Sequence, residues 1–324
     1  MDRITDKYGR ILNYVRISVT DRCNFRCRYC MPIEGIPWNP HEKIIKYEDI
    51  IFLVDVLSGM GVNKVRFTGG EPLVRRGFSS FLVDLRSSFP DLTLALTTNG
   101  SLLSAHKDNL LAANLDSLNV SLDTLDRTKF SYITRTGTLE DVLNGISLFS
   151  HMEKPELKIN TVLLKGFNDH EIPELIQFSR SQKAILRLIE FMPLDEVWSE
   201  QSFISAEEIL KQLSVYGKWD LMGEGAEALQ GPAKYYRNRD SGQIIGIIAA
   251  VSDHFCATCN RLRITSIGEM KPCLFSPDAV ALLESIQKRD RQSLQEEIKK
   301  AVSLKPSGWM NVVNRGCKMS RVGG

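Results

Sequence analysis

No apolar run in the 324-residue sequence is long enough to cross a bilayer. The longest, residues 244–251, falls far short of the roughly 20 residues a transmembrane helix needs. Neither charge sign is in excess: 41 basic residues against 39 acidic leave a formal net charge of +2, too small a surplus for a chain that grips nucleic acid. Low-complexity tracts are missing, and so is any repeat beyond an alternation of apolar runs with amphipathic stretches. Residues 1–7 mix both charge signs with no apolar stretch behind them, so no secretory signal is expected. Apolar residues at 43% and charged ones at 25% are ordinary globular values, which excludes disordered and collagen-like classes. An even cysteine count is lacking too. Seven cysteines, six of them in two tight groups, point to metal ligation in a reducing cytoplasm rather than to a disulfide framework. His41, His106, His151 and His170 show no ligand spacing and are expected at the surface or in satisfied positions.

What is present centres on Cys23-Asn24-Phe25-Arg26-Cys27-Arg28-Tyr29-Cys30, directly after an apolar run at 14–19. A four-iron cluster takes one thiolate per iron, so three cysteines hold three irons and leave the fourth open to a small molecule. The same logic separates open catalytic zinc from closed structural zinc. Electron-transfer ferredoxins supply a fourth cysteine, and zinc modules usually pair two-residue spacings. A lone C-x3-C-x2-C does neither.

Six apolar runs, at 14–19, 64–68, 92–98, 117–122, 157–164 and 185–192, alternate with helix-like stretches at 47–60, 78–89, 104–113, 139–151 and 171–182. Their spacing suits βαβ crossovers and predicts an α/β fold with a parallel sheet. Periodicity alone leaves a partial barrel and an open doubly wound sheet both allowed. Beyond 193 the alternation stops. Ser205-Ala206-Glu207-Glu208 reads as a capping box opening a helix to about residue 213. A surface loop at 223–242 encloses a short strand at 234–237; strands at 244–251 and 261–265 and helices at 277–288 and 293–302 follow. Two units are expected, residues 1–195 and residues 196–324.

Several strand candidates carry one cation between apolar neighbours: Arg16, Arg66, Lys158 and Arg187. Alternation puts Ser18, Lys64, Thr68, Asn119, Ser121 and Asn160 on the same faces. Helices must cover the other face of a parallel sheet, so these side chains point into the lumen. Unpaired buried charges cost several kcal/mol each, and a set of them implies an anionic ligand unless Glu71, Asp123 or Glu190 neutralises them or some lie at strand ends on the surface. Gly69-Gly70-Glu71-Pro72 follows the second run, where α/β ligand sites lie, and paired glycines let a ligand approach the backbone. Thr97-Thr98-Asn99-Gly100 ends the third run, and Ser121 with Asp123 the fourth.

A second group, Cys256-Ala257-Thr258-Cys259, is completed after thirteen residues by Cys273. On spacing alone a structural zinc site, with His254 as the nearby fourth ligand, and a second cluster are equally allowed. The complete triplet upstream favours the cluster. Arg261 and Arg263, two apart on one strand face, follow directly. Cys317 lies outside both groups and reads as a structural or incidental thiol.

The upstream triplet, with Tyr29 before its last cysteine and Gly69-Gly70-Glu71-Pro72 after the next strand, resembles the radical S-adenosylmethionine (SAM) superfamily. Joined to C-x2-C-x13-C and a terminal Gly323-Gly324, it is similar over essentially the whole chain to the GTP 3′,8-cyclases of molybdenum cofactor biosynthesis. That resemblance implies a partial (β/α)6 TIM-type barrel with a C-terminal α+β extension. It implies two [4Fe-4S] clusters, one on Cys23, Cys27 and Cys30 and an auxiliary one on Cys256, Cys259 and Cys273. SAM is to meet Tyr29, Gly69, Gly70, Glu71, Ser121 and Met192. GTP is to meet Arg16, Lys64, Arg66, Thr97, Lys158, Arg187, Arg261 and Arg263, with Arg261, Arg263, Gly323 and Gly324 serving catalysis. In the implied lyase reaction, SAM cleavage yields a 5′-deoxyadenosyl radical that takes the ribose 3′ hydrogen, and C3′ then attacks guanine C8. Implied partners are a flavodoxin- or ferredoxin-type electron donor, the downstream cyclic pyranopterin monophosphate synthase and a second copy of the chain. A peptide-modifying radical SAM enzyme is the first rival, though such enzymes carry more C-terminal cysteines and fewer lumen cations. A non-catalytic, metal-stabilised nucleotide-binding protein is the second.

Overall fold

In the computed structural model, residues 3–193, 198–223 and 231–312 are described. The six apolar runs become β1 (Tyr14–Ser18), β2 (Lys64–Thr68), β3 (Thr93–Thr98), β4 (Ser117–Ser121), β5 (Glu156–Leu163) and β6 (Ile185–Glu190). Between them run α1 (Tyr47–Gly59), α2 (Phe78–Ser88), α3 (Leu103–Ala112), α4 (Arg127–Thr134), α5 (Leu139–Phe149) and α6 (Ile172–Ser181). The remainder supplies α7 (Ala206–Ser214), β7 (Trp219–Leu221), β8 (Lys234–Asn238), β9 (Ile244–Ile248), β10 (Arg261–Ile264), β11 (Glu269–Lys271), β12 (Val280–Ala281), α8 (Leu283–Gln287) and α9 (Arg291–Ser303).

Among the described residues all 12 strands form one sheet, in the order β12-β11-β10-β1-β2-β3-β4-β5-β6-β9-β8-β7. The stretch from β10 through β1 to β6 and on to β9 is parallel throughout. Both flanks, β11–β12 and β8–β7, are antiparallel. The expected six parallel strands are therefore extended on each side by a strand from beyond residue 193, so that residues from both expected units share one sheet. The boundary at 195/196 itself lies outside the described residues. Residues from β10, at one side, and from β6 and β9, at the other, line one cavity, which shows how far the sheet curls.

Burial follows the pleat. Val15 and Ile17, Val65 and Phe67, Leu94 and Leu96, Leu118 and Val120, Leu186 and Leu188 face outward into one core with Leu53, Leu57, Phe78, Leu82, Leu85, Val142 and Ile146 of the helices. Each fully buried aliphatic side chain there contributes about 1.5–3 kcal/mol. The capping box is present: Ser205 Oγ accepts from the Glu208 N–H (3.2 Å) and Glu208 Oε2 accepts from the Ser205 N–H (2.9 Å). The helix expected at 277–288 differs. Residues 280–281 instead pair with β11, and the Leu282 N–H donates to Gly268 O, so only Leu283–Gln287 is helical. Among the described residues no helix is long and apolar enough to cross a membrane.

Candidate active site

Parallel pairing in register turns the isolated cations of the sequence into rows. Arg16 of β1 stands opposite Arg263 of β10 on one side and Arg66 of β2 on the other. One pleat away, Tyr14 stands between Arg261 and Lys64. Neighbouring strands lie about 4.8 Å apart, so each row concentrates positive charge on one wall. Arg66 is held by the Tyr14 hydroxyl (Nε, 2.8 Å) and Leu96 O (Nη1, 2.9 Å), and Arg187 Nε by Asn160 Oδ1 (2.8 Å). Burial, then the charge of Arg263, pulls Arg16 well below its usual value; burial, then Arg261, brings Arg263 down to about 10. A bound anion would relieve both.

The carboxylates that could have neutralised this wall are engaged elsewhere. Glu71 accepts from the N–H groups of Leu73 (3.0 Å) and Asn99 (2.6 Å) and from the Thr98 hydroxyl (2.8 Å). Asp123 takes the Tyr29 hydroxyl (2.6 Å) and the Val162 N–H (2.9 Å). Glu190 takes the N–H groups of Ala206, Val251 and Ser252 and the Ser252 hydroxyl. Lys158 does find a carboxylate, Glu156 at 2.5 Å.

At the carboxyl ends of the strands, Cys23, Cys27 and Cys30 lie in a loop fastened to the end of α4. The N–H groups of Arg26 and Arg28 donate to Thr134 O (3.0 Å) and Ile133 O (2.9 Å), and Arg135 Nη1 reaches back to Arg26 O and Met31 O. Phe25 packs edge-on against Phe130. The glycine pair after β2 serves the loop too. Gly70 N–H donates to Thr20 O and Glu71 N–H to Arg22 O, both at 2.8 Å. A Cβ on Gly69 or Gly70 would strike the backbone of residues 20–22. Their absent side chains thus admit the cysteine loop itself.

Across the cavity, Cys256 and Cys259 occupy one turn and Cys273 follows β11. Lys305, 2% exposed, ties this group together: its Nζ donates to Arg261 O (2.8 Å) and Pro272 O (2.9 Å) and lies 3.8 Å from Cys259 Sγ. Burial alone would raise the Cys259 thiol, but the charges of Arg261 and then Lys305 outweigh it and hold it at about 6. Burial pushes Cys23 up to about 11 and raises Cys27 and Cys256. Arg10 clamps the same loop through Cys256 O (2.7 Å) and Pro306 O (2.7 Å). His254, the candidate fourth zinc ligand, has its Nδ1 3.2 Å from Val251 O.

All six of these cysteines are free thiols. Among the described residues no three His, Cys, Asp or Glu side chains close around a point that would hold one metal ion. Both trios line one cavity of ≈ 320 Å³, with the arginine rows between them.

The Radical SAM superfamily model matches residues 17–179, and the Molybdenum Cofactor Synthesis C model residues 184–311. The GTP 3′,8-cyclase of Desulforamulus reducens is 40% identical over 98% of this chain and 99% of its own, and that of Geobacter sulfurreducens 40% identical over 94% and 93%. The chain belongs to the GTP 3′,8-cyclase family. Streptococcus suis SuiB, in a crystal structure bound to S-adenosylmethionine, aligns with TM-score 0.61 at 15% identity, covering 90% of this chain and 69% of that one, and shares the fold alone. A radical SAM domain brings with it one four-iron cluster and SAM.

Of the residues expected to meet SAM or GTP in this cyclase family, Tyr29, Gly69, Gly70, Ser121, Met192, Arg16, Lys64, Arg66, Thr97, Arg187, Arg261 and Arg263 line the cavity. Glu71 and Lys158 are not part of its wall: Glu71 is fully buried among its three donors, and Lys158 is turned to Glu156. Gly323, Gly324 and Cys317 lie outside the described residues. Sequence reasoning missed Tyr14, Lys305 and Trp309, which also line it. Alternation could have found Tyr14, two before Arg16; nothing local marks Lys305.

Proposed function

We propose that the chain is a radical SAM GTP 3′,8-cyclase, a lyase that converts GTP to (8S)-3′,8-cyclo-7,8-dihydroguanosine 5′-triphosphate in the first step of molybdenum cofactor biosynthesis. The observation that carries this reading is the single cavity in which two cysteine trios face each other across in-register arginines. Cys23, Cys27 and Cys30 would hold the SAM cluster, and Cys256, Cys259 and Cys273 an auxiliary four-iron cluster with an iron open to the guanine base. When bound, the first cluster supplies the electron that cleaves SAM and so begins hydrogen removal from ribose C3′.

The chain's own groups bind, orient and exclude water. Arg16, Lys64, Arg66, Thr97, Arg187, Arg261 and Arg263 hold the nucleotide through charge and donated hydrogen bonds, the arginines well suited to phosphate. Tyr29, Gly69, Gly70, Ser121 and Met192 hold SAM. Glu71 works one step back, bracing the turn after β2 against Asn99 and Thr98. Lys158 reaches GTP only by exchanging Glu156 for phosphate. Residues 1–195 form the SAM unit and residues 196–324 the auxiliary unit, whose Gly323 and Gly324 enter the site in catalysis; family resemblance supports that role of the tail. The reading includes a flavodoxin- or ferredoxin-type reductant, hand-over of the product to cyclic pyranopterin monophosphate synthase, a homodimer and a cytoplasmic setting.

The test is anaerobic reconstitution to roughly eight irons per chain, then incubation with reductant, SAM and GTP. The reaction removes one hydrogen atom from GTP and returns one electron and one proton, so the product is an isomer of GTP. Chromatography should resolve it, matched by one 5′-deoxyadenosine. Deoxyadenosine without a new nucleotide would sink the reading.

A further inference from the structure

Tyr14 has no part in the reading above, yet its phenol lies within the arginine rows and is the nearest of the hydroxyls that Arg66 reaches, those of Thr97 and Ser117 standing at 3.4 Å. It is 6% exposed and lines the cavity. Arg66 Nε donates to its oxygen at 2.8 Å, and the Lys64 ammonium lies 5.3 Å from its ring centroid. In register it has Arg261 on one side and Lys64 on the other. Its backbone is fixed as well, the N–H donating to Asn260 O at 3.4 Å.

We propose that Tyr14 is the proton-exchanging positioning residue of the nucleotide site: its phenolate holds Arg66 in place, and arrival of a nucleoside triphosphate converts it to the neutral phenol. The inference rests on the GTP reading and deepens it. The charged groups facing the phenol are Arg16 on its own strand, Lys64 and Arg66 on β2, Arg261 and Arg263 on β10, and Arg187 on β6. Burial pushes the phenol up, but Arg66, Arg16, Lys64 and Arg261, in that order, outweigh it and bring it to about 7. These are the cations a triphosphate would neutralise. A polyanion laid against them cancels what holds the phenol down, so its affinity for a proton returns towards the ordinary tyrosine range.

The step balances simply: one O–H bond forms on Tyr14, the proton comes from solvent, and no electron moves. Because the proton is then a co-ligand, GTP affinity falls as pH rises above about 7 and is unaffected by this group well below that value. Once neutral, the phenol can donate a hydrogen bond to a phosphate or ribose oxygen while Arg66 turns to the same anion.

The experiment is calorimetric titration of anaerobically reconstituted protein with GTP at pH 8, in two buffers of different ionisation enthalpy. Wild type should take up more protons than Tyr14→Phe by most of one proton per GTP. From pH 7 to pH 9 the wild-type Kd should rise roughly twenty- to fiftyfold more than that of the variant. Lys158 and the phosphates of GTP titrate in both proteins and cancel in the difference; Lys64, whose ammonium the Tyr14 charge helps to keep protonated, is taken out by repeating the pair of titrations on a Lys64→Met background. Phenylalanine keeps the ring's packing, and an unchanged circular-dichroism spectrum and urea-unfolding midpoint show the fold intact. Should Tyr14→Phe fail to fold, 3-fluorotyrosine at position 14, a more acidic phenol, should move the break in the pH profile downward. Equal proton uptake and parallel pH profiles, or an unmoved break with fluorotyrosine, overturn the proposal and leave the cyclase reading standing. Wild-type protein that binds no GTP at any pH overturns both.

Discussion

A Cβ placed on Gly70 would lie 2.4 Å from the Arg22 carbonyl oxygen and 2.6 Å from its carbonyl carbon. The obstacle is backbone, and Arg22 directly precedes Cys23, so the turn after β2 is a splint for the first cysteine trio. Gly70→Ala must push the two segments apart and strain the hydrogen bonds from Gly70 to Thr20 O and from Glu71 to Arg22 O. The expected cost is about 1–3 kcal/mol in urea unfolding, with loss of roughly half the reconstituted iron and of SAM cleavage. Full iron and normal SAM cleavage in the variant would show the approach to be loose.

At the opposite end, Lys305 bridges the backbone before Cys273 to the backbone two residues after Cys259. Lys305→Met keeps most of the side-chain volume but strips both carbonyls of their donor and Cys259 of a neighbouring cation. Each buried carbonyl left unsatisfied costs about 1–3 kcal/mol. The variant should lose the auxiliary iron, about four atoms per chain, while retaining SAM cleavage. Iron counting together with 5′-deoxyadenosine assays separates the two ends.

Several strands were readable because they place a polar residue between two apolar ones, as in Val15-Arg16-Ile17 and Val65-Arg66-Phe67, and that pattern also puts the polar residue in the lumen. The pairing of β10 with β1 and of β9 with β6 was not readable, since a strand's neighbour is a non-local choice. Residues 280–283 form a short apolar run that suits strand or helix alike, and pairing with β11 decided for strand over part of it. Helix α4 is short and polar, marked only by its Asp126 cap, which accepts from the Lys129 N–H at 2.8 Å. Arg10 reaches a loop 246 residues away and Lys305 one 44 residues away; no local periodicity encodes such contacts.

Arg261 and Arg263 are two apart on β10 and both line the cavity, Arg263 buried beside Arg16 and Arg261 over the Phe255 ring. Each is expected to donate to an anionic oxygen of the nucleotide. Arg261→Ala and Arg263→Ala, made separately, should each weaken GTP binding by about 1.5–3 kcal/mol, roughly ten- to hundredfold in Kd. SAM cleavage, which depends on the other trio, should persist. Unchanged GTP affinity in both variants would remove them from the site.

Glu71 gives the fold one contribution to stability that depends on pH. Burial pushes its carboxyl up to about 7, against the lowering effect of donors from Asn99, Leu73 and Thr98. In the unfolded chain a glutamate titrates near 4.3. Between about 4.3 and about 7 the folded state therefore keeps a proton that the unfolded state has released. The folded state binds more protons in that window, so this group's contribution to stability declines as pH rises through it and is lowest above 7. Glu71→Gln is neutral at every pH and lacks the slope. Urea unfolding of both proteins at pH 5 and pH 7.5 should show wild type losing on the order of 2 kcal/mol relative to the variant over that interval. The opposite trend, wild type gaining on the variant as pH rises, would mean that the three donors overcome burial and that Glu71 braces the turn as a carboxylate throughout.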